Sequence, residues 1–148
     1  MKLCYETVVR APVTDAFAFY SNIANLRRIT PPNIKLEIVE IVGNMREGTR
    51  ITVRTGRWFV VWEWRLRIAE FVPNRRFVDV QEEGPFARYE HLHEFLPHND
   101  GTLLRDTLDF ALPYEPFSAP MRDWILKPQL DRLFAFRHQE TRRLLERT

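Results

Sequence analysis

Residues 58–68 read WFVVWEWRLRI, and this stretch decides the fold class. Apolar side chains occupy every second position along its length, and charged side chains stand between them in its second half. Alternation with a period of two is typical of a β-strand that buries one face. Trp58, Trp62 and Trp64 share that face, so we predict that all three point into the interior.

The segments around this strand complete a mixed pattern of strands and helices. Strand patterns cover residues 3–10, 34–42, 49–55, 77–82, 88–96 and 102–112, with a tight turn expected at Gly56-Arg57. Helical patterns cover residues 11–23, 23–29 and 121–145, with Pro128 expected to kink the last helix or to open a second helical piece. The order predicts an α+β domain over residues 1–148. We expect two short helices after the first strand, and a curved antiparallel sheet of six to seven strands around a long C-terminal helix.

Composition excludes several classes of protein. The chain has 148 residues, a net charge of +2 and a single cysteine, Cys4. One cysteine forms no internal disulfide and no signal peptide is evident, so we expect a cytoplasmic protein. No stretch approaches the ~20 apolar residues of a membrane span. No phosphate-binding loop, dinucleotide fingerprint or basic-aromatic RNA motif is present, so we expect neither a cofactor nor a nucleic-acid partner.

Polar residues on predicted inward faces are the candidate functional groups. His91 and His93 alternate with two glutamates, which puts both histidines on the inner face. Asp106 lies among leucines on the next strand, where an isolated carboxylate is costly to bury. If Pro97 pairs with Thr102 across the hairpin, His93 faces Asp106; the next matching register puts His91 there.

The same histidines raise the question of a metal. Residues two apart on a strand have Cα atoms ~7 Å apart, close enough to share zinc, but zinc needs a third ligand. His98 is expected at a loop tip and His138 on the distant helix, so we predict no metal site. Arg137 lies within the apolar stripe of the final helix, and a buried ion pair with an inward carboxylate such as Asp106 is the favoured interpretation. Snorkelling to the edge of the stripe is the alternative.

Four segments resemble one known superfamily. Residues 11–32 (APVTDAFAFYSNIANLRRITPP), 84–95 (GPFARYEHLHEF), 101–113 (GTLLRDTLDFALP) and 133–145 (LFAFRHQETRRLL) are similar to bacterial proteins with the START/Bet v 1-like helix-grip fold, in the polyketide cyclase/dehydrase-like branch. The resemblance covers nearly the whole chain. It implies an internal cavity and a hydrophobic ligand, because the superfamily includes lipid carriers, hormone receptors and polyketide cyclases.

We therefore expect a carrier or sensor that binds a hydrophobic or aromatic molecule, such as a lipid, quinone or polyketide, in a cavity of at least roughly a few hundred Å³. The ligand-contacting candidates are Trp62, Trp64, Tyr89, His91, His93, Phe95, Phe110, Phe134 and Arg137.

A cyclase or dehydratase is the first alternative, with His91 or His93 as general acid/base oriented by Asp106, and Arg137 or Tyr89 polarising a carbonyl. A protein-interaction domain is the second alternative, and assembly into a homodimer stays open.

Overall fold

A curved antiparallel sheet forms the framework of the protein. The computed structural model describes residues 1–42, 44–57 and 59–146. Within them the strands are β1 (Lys2–Val9), β2 (Lys35–Val42), β3 (Arg50–Arg57), β4 (Val60–Val72), β5 (Arg76–Glu83), β6 (Arg88–His98) and β7 (Gly101–Ala111). They pair in the order β1-β7-β6-β5-β4-β3-β2. The predicted α+β sheet is confirmed, with seven strands in the described part of the chain.

Helices cross one face of this sheet. Helix α1 (Val13–Ser21) and a 3₁₀ helix (Ile23–Ile29) carry the chain from edge strand β1 to edge strand β2. The C-terminal helical segment consists of α2 (Ala119–Met121), a π-helical turn (Arg122–Leu126) and α3 (Lys127–Leu145). None of the described helices is long and apolar enough to cross a membrane.

The π-helical turn explains how Pro128 fits into the C-terminal helix. Proline has no N–H and its ring clashes with the carbonyl four residues earlier, so an ordinary helix kinks or breaks there. Here the N–H of Lys127 donates to the carbonyl of Arg122, five residues back, and Pro128 falls in the first turn of α3. The wider π-helical turn places Pro128 at the start of a new helix, which confirms the predicted second helical piece.

The β3–β4 hairpin corrects one prediction. Gly56 and Arg57 end strand β3 instead of forming the turn, and β4 begins at Val60. The strands approach so closely that a Cβ on Gly56 would lie 1.9 Å from the carbonyl oxygen of Val60. The glycine is therefore needed for strand contact rather than for a turn. Trp58 lies outside the described residues.

Two apolar clusters fill the space between sheet and helices. The first packs Phe17 of α1 onto Phe77 and Phe95. The second joins Phe110 of β7 to Phe134 of α3. Buried polar side chains of β6 and β7 lie between the two clusters along the strands. This layer of buried polar side chains, in strands β6 and β7 next to the edge strand β1, is the candidate functional site.

Candidate ligand-binding site

A cavity of about 170 Å³ opens between the sheet, the 3₁₀ helix and α3. Its walls are mainly apolar and include Ile29, Val53, Trp64 and Leu133. This volume is smaller than the predicted minimum of a few hundred Å³, because aromatic rings fill much of the interior. Trp64 and Tyr89, for example, meet edge to face with centroids 4.7 Å apart.

Asp106 is the centre of the buried polar layer. His91 Nε2 lies 2.8 Å from its Oδ1, and His138 Nε2 lies 2.7 Å from its Oδ2. His93 Nδ1 approaches Oδ1 at 3.4 Å. Asp106 is 3% exposed, so these imidazoles replace the water that would otherwise solvate the carboxylate. The register prediction is confirmed, since His93 pairs with Asp106 as Pro97 does with Thr102.

A second carboxylate extends the layer toward β5. His93 Nε2 lies 2.7 Å from Oδ2 of Asp79, which pairs across the strands with His91. The rings of His91 and His93 stack with centroids 3.6 Å apart, and Phe77 covers the other face of His93 at 4.1 Å. Asp79, His91 and His93 all line the cavity, so this polar wall faces any bound molecule.

The protonation equilibria follow from burial and pairing. Burial alone would raise the pKa of Asp106, but hydrogen bonds from His138 and His91 outweigh it and hold the pKa well below its usual range. Burial would likewise raise the pKa of Asp79, but its contact with His93 lowers it overall. Burial, followed by the neighbouring His93, lowers the pKa of His91. Two carboxylates are therefore ionised while the imidazole of His91 favours its neutral form.

Two tyrosines border the layer as neutral phenols. Burial, followed by the charge of Asp79, raises the pKa of Tyr89 well above its usual value. Its hydroxyl lies 3.5 Å from Nδ1 of His91. Burial also raises the pKa of Tyr20, whose hydroxyl lies 2.7 Å from Oγ1 of Thr141 and so links α1 to α3. Both tyrosines line the cavity.

Three buried nitrogens in the cavity wall have no hydrogen-bond partner among the described residues. Two are donors, Nε of Arg137 on α3 and Nε1 of Trp64 on β4, and the third is Nδ1 of His93. The guanidinium of Arg137 instead lies over the ring of Phe134, 5.1 Å from its centroid. The favoured Arg137–Asp106 ion pair is therefore wrong, because histidines already occupy both oxygens of Asp106.

The sequence-predicted ligand contacts divide into two groups. Five of them line the cavity, namely Trp64, Tyr89, His91, His93 and Arg137. Four of them are not part of its walls, namely Trp62, Phe95, Phe110 and Phe134. The three phenylalanines are at most 3% exposed and pack in the apolar clusters. Trp62 lies opposite the cavity residue Thr55, so it shares the inner face with Trp64, but it is 51% exposed near the end of the strand.

Sequence reasoning missed two functional candidates, Asp79 and His138. Asp79 is two residues after the buried Phe77, so period-two alternation could have placed it on the inner face. His138 is four residues after Phe134 and three before Thr141, and all three are buried on α3. Its helical position was therefore a usable signal, whereas its pairing with Asp106 required knowledge of how the helix crosses the sheet.

Comparison with known proteins identifies the family of the chain. Residues 9–135 match the family model described as polyketide cyclase/dehydrase and lipid transport. The chain belongs to this polyketide cyclase/dehydrase and lipid transport family. No curated protein matches the chain.

Several solved structures have the same fold as this protein. TTHA0849 from Thermus thermophilus is 21% identical, with a TM-score of 0.74 over 95% of this chain and 97% of its own. A START superfamily protein from Mycobacterium smegmatis is 18% identical, with a TM-score of 0.71 over 97% and 98%. Ara h 8.0201 is 15% identical, with a TM-score of 0.67 over 95% and 97%. These likenesses establish the helix-grip fold.

Proposed function

We propose that the protein binds a small, mainly apolar molecule that carries one hydrogen-bond-accepting end, as a carrier or sensor. The observation that carries this proposal is the pair of unpartnered donors, Arg137 Nε and Trp64 Nε1, in an otherwise apolar wall. A buried donor without a partner costs roughly 1–3 kcal/mol, so a ligand oxygen that accepts from it gains binding energy.

The size of the cavity favours a ligand built on a single ring. A protein cavity of roughly 150 Å³ holds benzene, and this one measures about 170 Å³. A substituted aromatic ring or a quinone suits that volume better than a long acyl chain. A neighbouring surface pocket of about 250 Å³ shares the side chains of Ile34 and Leu133 with the cavity. Movement of these two side chains would give a larger ligand its extra room.

Calorimetric titration with 4-hydroxyacetophenone tests this proposal, because the probe combines one ring with a carbonyl acceptor. Arg137→Leu should weaken binding by about 10- to 100-fold, since a hydrogen bond to a charged donor contributes roughly 1.5–3 kcal/mol. Trp64→Phe should weaken it by about 10-fold or less. Arg143→Leu is the matched control, because Arg143 is an exposed arginine on the same helix. Equal affinity in all four proteins would contradict the proposed site.

A specific observation also favours an enzyme of the cyclase or dehydratase type. Asp106, His91 and Tyr89 form a chain of contacts that ends at the cavity, with separations of 2.8 Å and 3.5 Å. In such a chain the carboxylate orients the imidazole, and the imidazole and the neutral phenol exchange a proton with the ligand. Asp106→Asn should then abolish turnover of a cyclising or dehydrating substrate while probe binding persists. A pure carrier has no turnover to lose.

A further inference from the structure

A cluster of three potential metal ligands forms the polar wall of the cavity. Asp79, His91 and His93 can each place one ligand atom so that all three atoms lie within 4.8 Å of one another. We propose that they form a site for a divalent transition-metal ion such as zinc or ferrous iron. The sequence argued against a metal because the two histidines lacked a third ligand, and Asp79 supplies it. This inference goes beyond the proposed binding of an apolar molecule.

The strand register brings the three side chains together. Asp79 is directly opposite His91 in the β5–β6 ladder, and His93 is the next inward residue along β6. Ligand atoms about 2.1 Å from a tetrahedral ion are roughly 3.4 Å from each other. The Asp79 Oδ2 to His93 Nε2 distance is already 2.7 Å. All three ligand atoms already lie within 4.8 Å of one another, so side-chain rotation is the adjustment that an ion would require.

Asp106 provides the outer support that metal-binding histidines usually have. Its Oδ1 lies 2.8 Å from Nε2 of His91 and 3.4 Å from Nδ1 of His93. Each imidazole thus has one nitrogen near Asp106. The other nitrogen, Nδ1 of His91 beside the Tyr89 hydroxyl and Nε2 of His93 beside Asp79, is the one that would coordinate an ion. His138 in turn holds the second oxygen of Asp106 at 2.7 Å. A carboxylate behind each ligating histidine sets its tautomer and orientation, and its loss typically reduces metal affinity about 10- to 100-fold.

The positions of the charged side chains are also compatible with a cation. Asp79 lies in the cavity wall, and Asp106 lies directly behind the two histidines. No hydrogen bond or ion pair of the described residues joins Arg137 to either carboxylate. A divalent ion held by Asp79, His91 and His93 would place its positive charge beside both carboxylates.

The position of the cluster predicts an open coordination sphere. Three protein ligands and a cavity beside them are typical of zinc or iron sites that bind a water or a ligand, because structural zinc sites use four protein ligands. Two histidines and one carboxylate are also the ligand set of non-haem iron(II) sites. An ion here would lie beside the phenol of Tyr89 and could contact an oxygen atom of a bound molecule.

The test is a titration of chelator-treated protein with Co²⁺ and Zn²⁺, followed by calorimetry and visible absorption. We expect one equivalent of Co²⁺ to bind, with absorption bands of a four- or five-coordinate ion, and Zn²⁺ to compete for it. We also expect Zn²⁺ to raise the melting temperature, because it binds only the folded state. Asp79→Asn should abolish these effects, and Asp106→Asn should weaken binding by about 10- to 100-fold.

The control for this titration is a histidine outside the cluster. His98→Gln removes an exposed histidine at the β6–β7 turn and should leave Co²⁺ binding unchanged. Failure of the wild-type protein to bind Co²⁺ or Zn²⁺ stoichiometrically would overturn the proposal even if a variant failed to fold. So would an equal Zn²⁺ effect on the wild type and on Asp79→Asn. Binding of 4-hydroxyacetophenone to metal-free protein is a separate measurement, so either proposal can fail alone.

Discussion

Two sets of charged side chains lie on opposite faces of the same sheet. On the outer face, Glu82 pairs with Arg50 and Arg67 at 3.2 Å and 3.5 Å, and its own side chain is 35% exposed. On the inner face, Asp106 contacts three histidines and its side chain is 5% exposed. Water replaces a lost partner on the outer face, whereas nothing replaces one inside. Both sets are ion pairs, but we expect the loss of one partner to lower the free energy of unfolding several-fold more on the inner face than on the outer face.

The largest expected effect is that of Asp106→Ala. Removing the carboxylate leaves His91 and His138 buried without their acceptor, and breaking one partner of a buried pair costs about 3–5 kcal/mol. The free energy of unfolding, measured with denaturant, should fall by that amount. Asp109→Ala is the control, because Asp109 lies on the same strand and pairs with the half-exposed Arg88 at 3.0 Å. Equal losses in both variants would show that burial does not set the cost.

The second prediction is an acid-labile fold. The pKa values of His91, Asp79 and Asp106 are all lowered in the folded protein, so the unfolded chain binds more protons as the pH falls. Stability should therefore decrease below about pH 6.5 as His91 contributes, and more steeply below about pH 4 as the carboxylates do. Denaturant titrations over this range measure the slope.

High salt distinguishes the contribution of the buried charges to the acid lability from that of the exposed ion pairs. The exposed pairs are screened by high salt, while the buried cluster is much less affected. The acid-induced loss should therefore persist in high salt. Its part below about pH 4 should become smaller in Asp106→Asn, which has no carboxylate at this position to protonate. A slope that disappears in high salt would assign the acid lability to the outer face.

The sequence predicted the fold and part of the site for a definite physical reason. Period-two alternation and a short hairpin loop are local, so the pairing of His93 with Asp106 followed from counting residues across the turn. The position of α3 over the sheet is not local. For that reason His138 was missed as a partner of Asp106, and the ion pair was assigned to Arg137, one residue away on the helix.

The cavity shows the same limit of local patterns. Alternation placed Trp62 and Trp64 on one face, and the strand register agrees. It could not show that Trp62 is 51% exposed. Nor could it show that Phe110 and Phe134 pack together in the core instead of lining the cavity. These outcomes depend on where the helix ends over the sheet and how the rings pack, which hydrophobic periodicity does not encode.

The third prediction concerns the contact that closes α1 onto α3. Tyr20→Phe removes the hydroxyl 2.7 Å from Oγ1 of Thr141 and leaves the ring in place. Thr141 keeps its hydrogen bond to the carbonyl of Arg137, so only one bond is lost. The unfolding free energy should fall by about 1 kcal/mol. Tyr114→Phe, at a tyrosine that is 85% exposed, should leave it unchanged and serves as the control.

The smallest effect is expected from Glu82→Gln on the outer face. The substitution removes two ion pairs at once, yet Arg50 is 67% exposed and water solvates its guanidinium after the loss. Exposed pairs contribute about 0.2–1 kcal/mol each, often at the low end, and these two share one carboxylate, so the unfolding free energy should fall by about 0.5 kcal/mol in total. In 1 M salt, where charges are screened over roughly 3 Å, the wild type and the variant should be nearly equal in stability. A salt-insensitive loss as large as that of Asp106→Ala would mean that these arginines depend on Glu82 as the buried histidines depend on Asp106. The contrast between the two faces would then have to arise from something other than access to water.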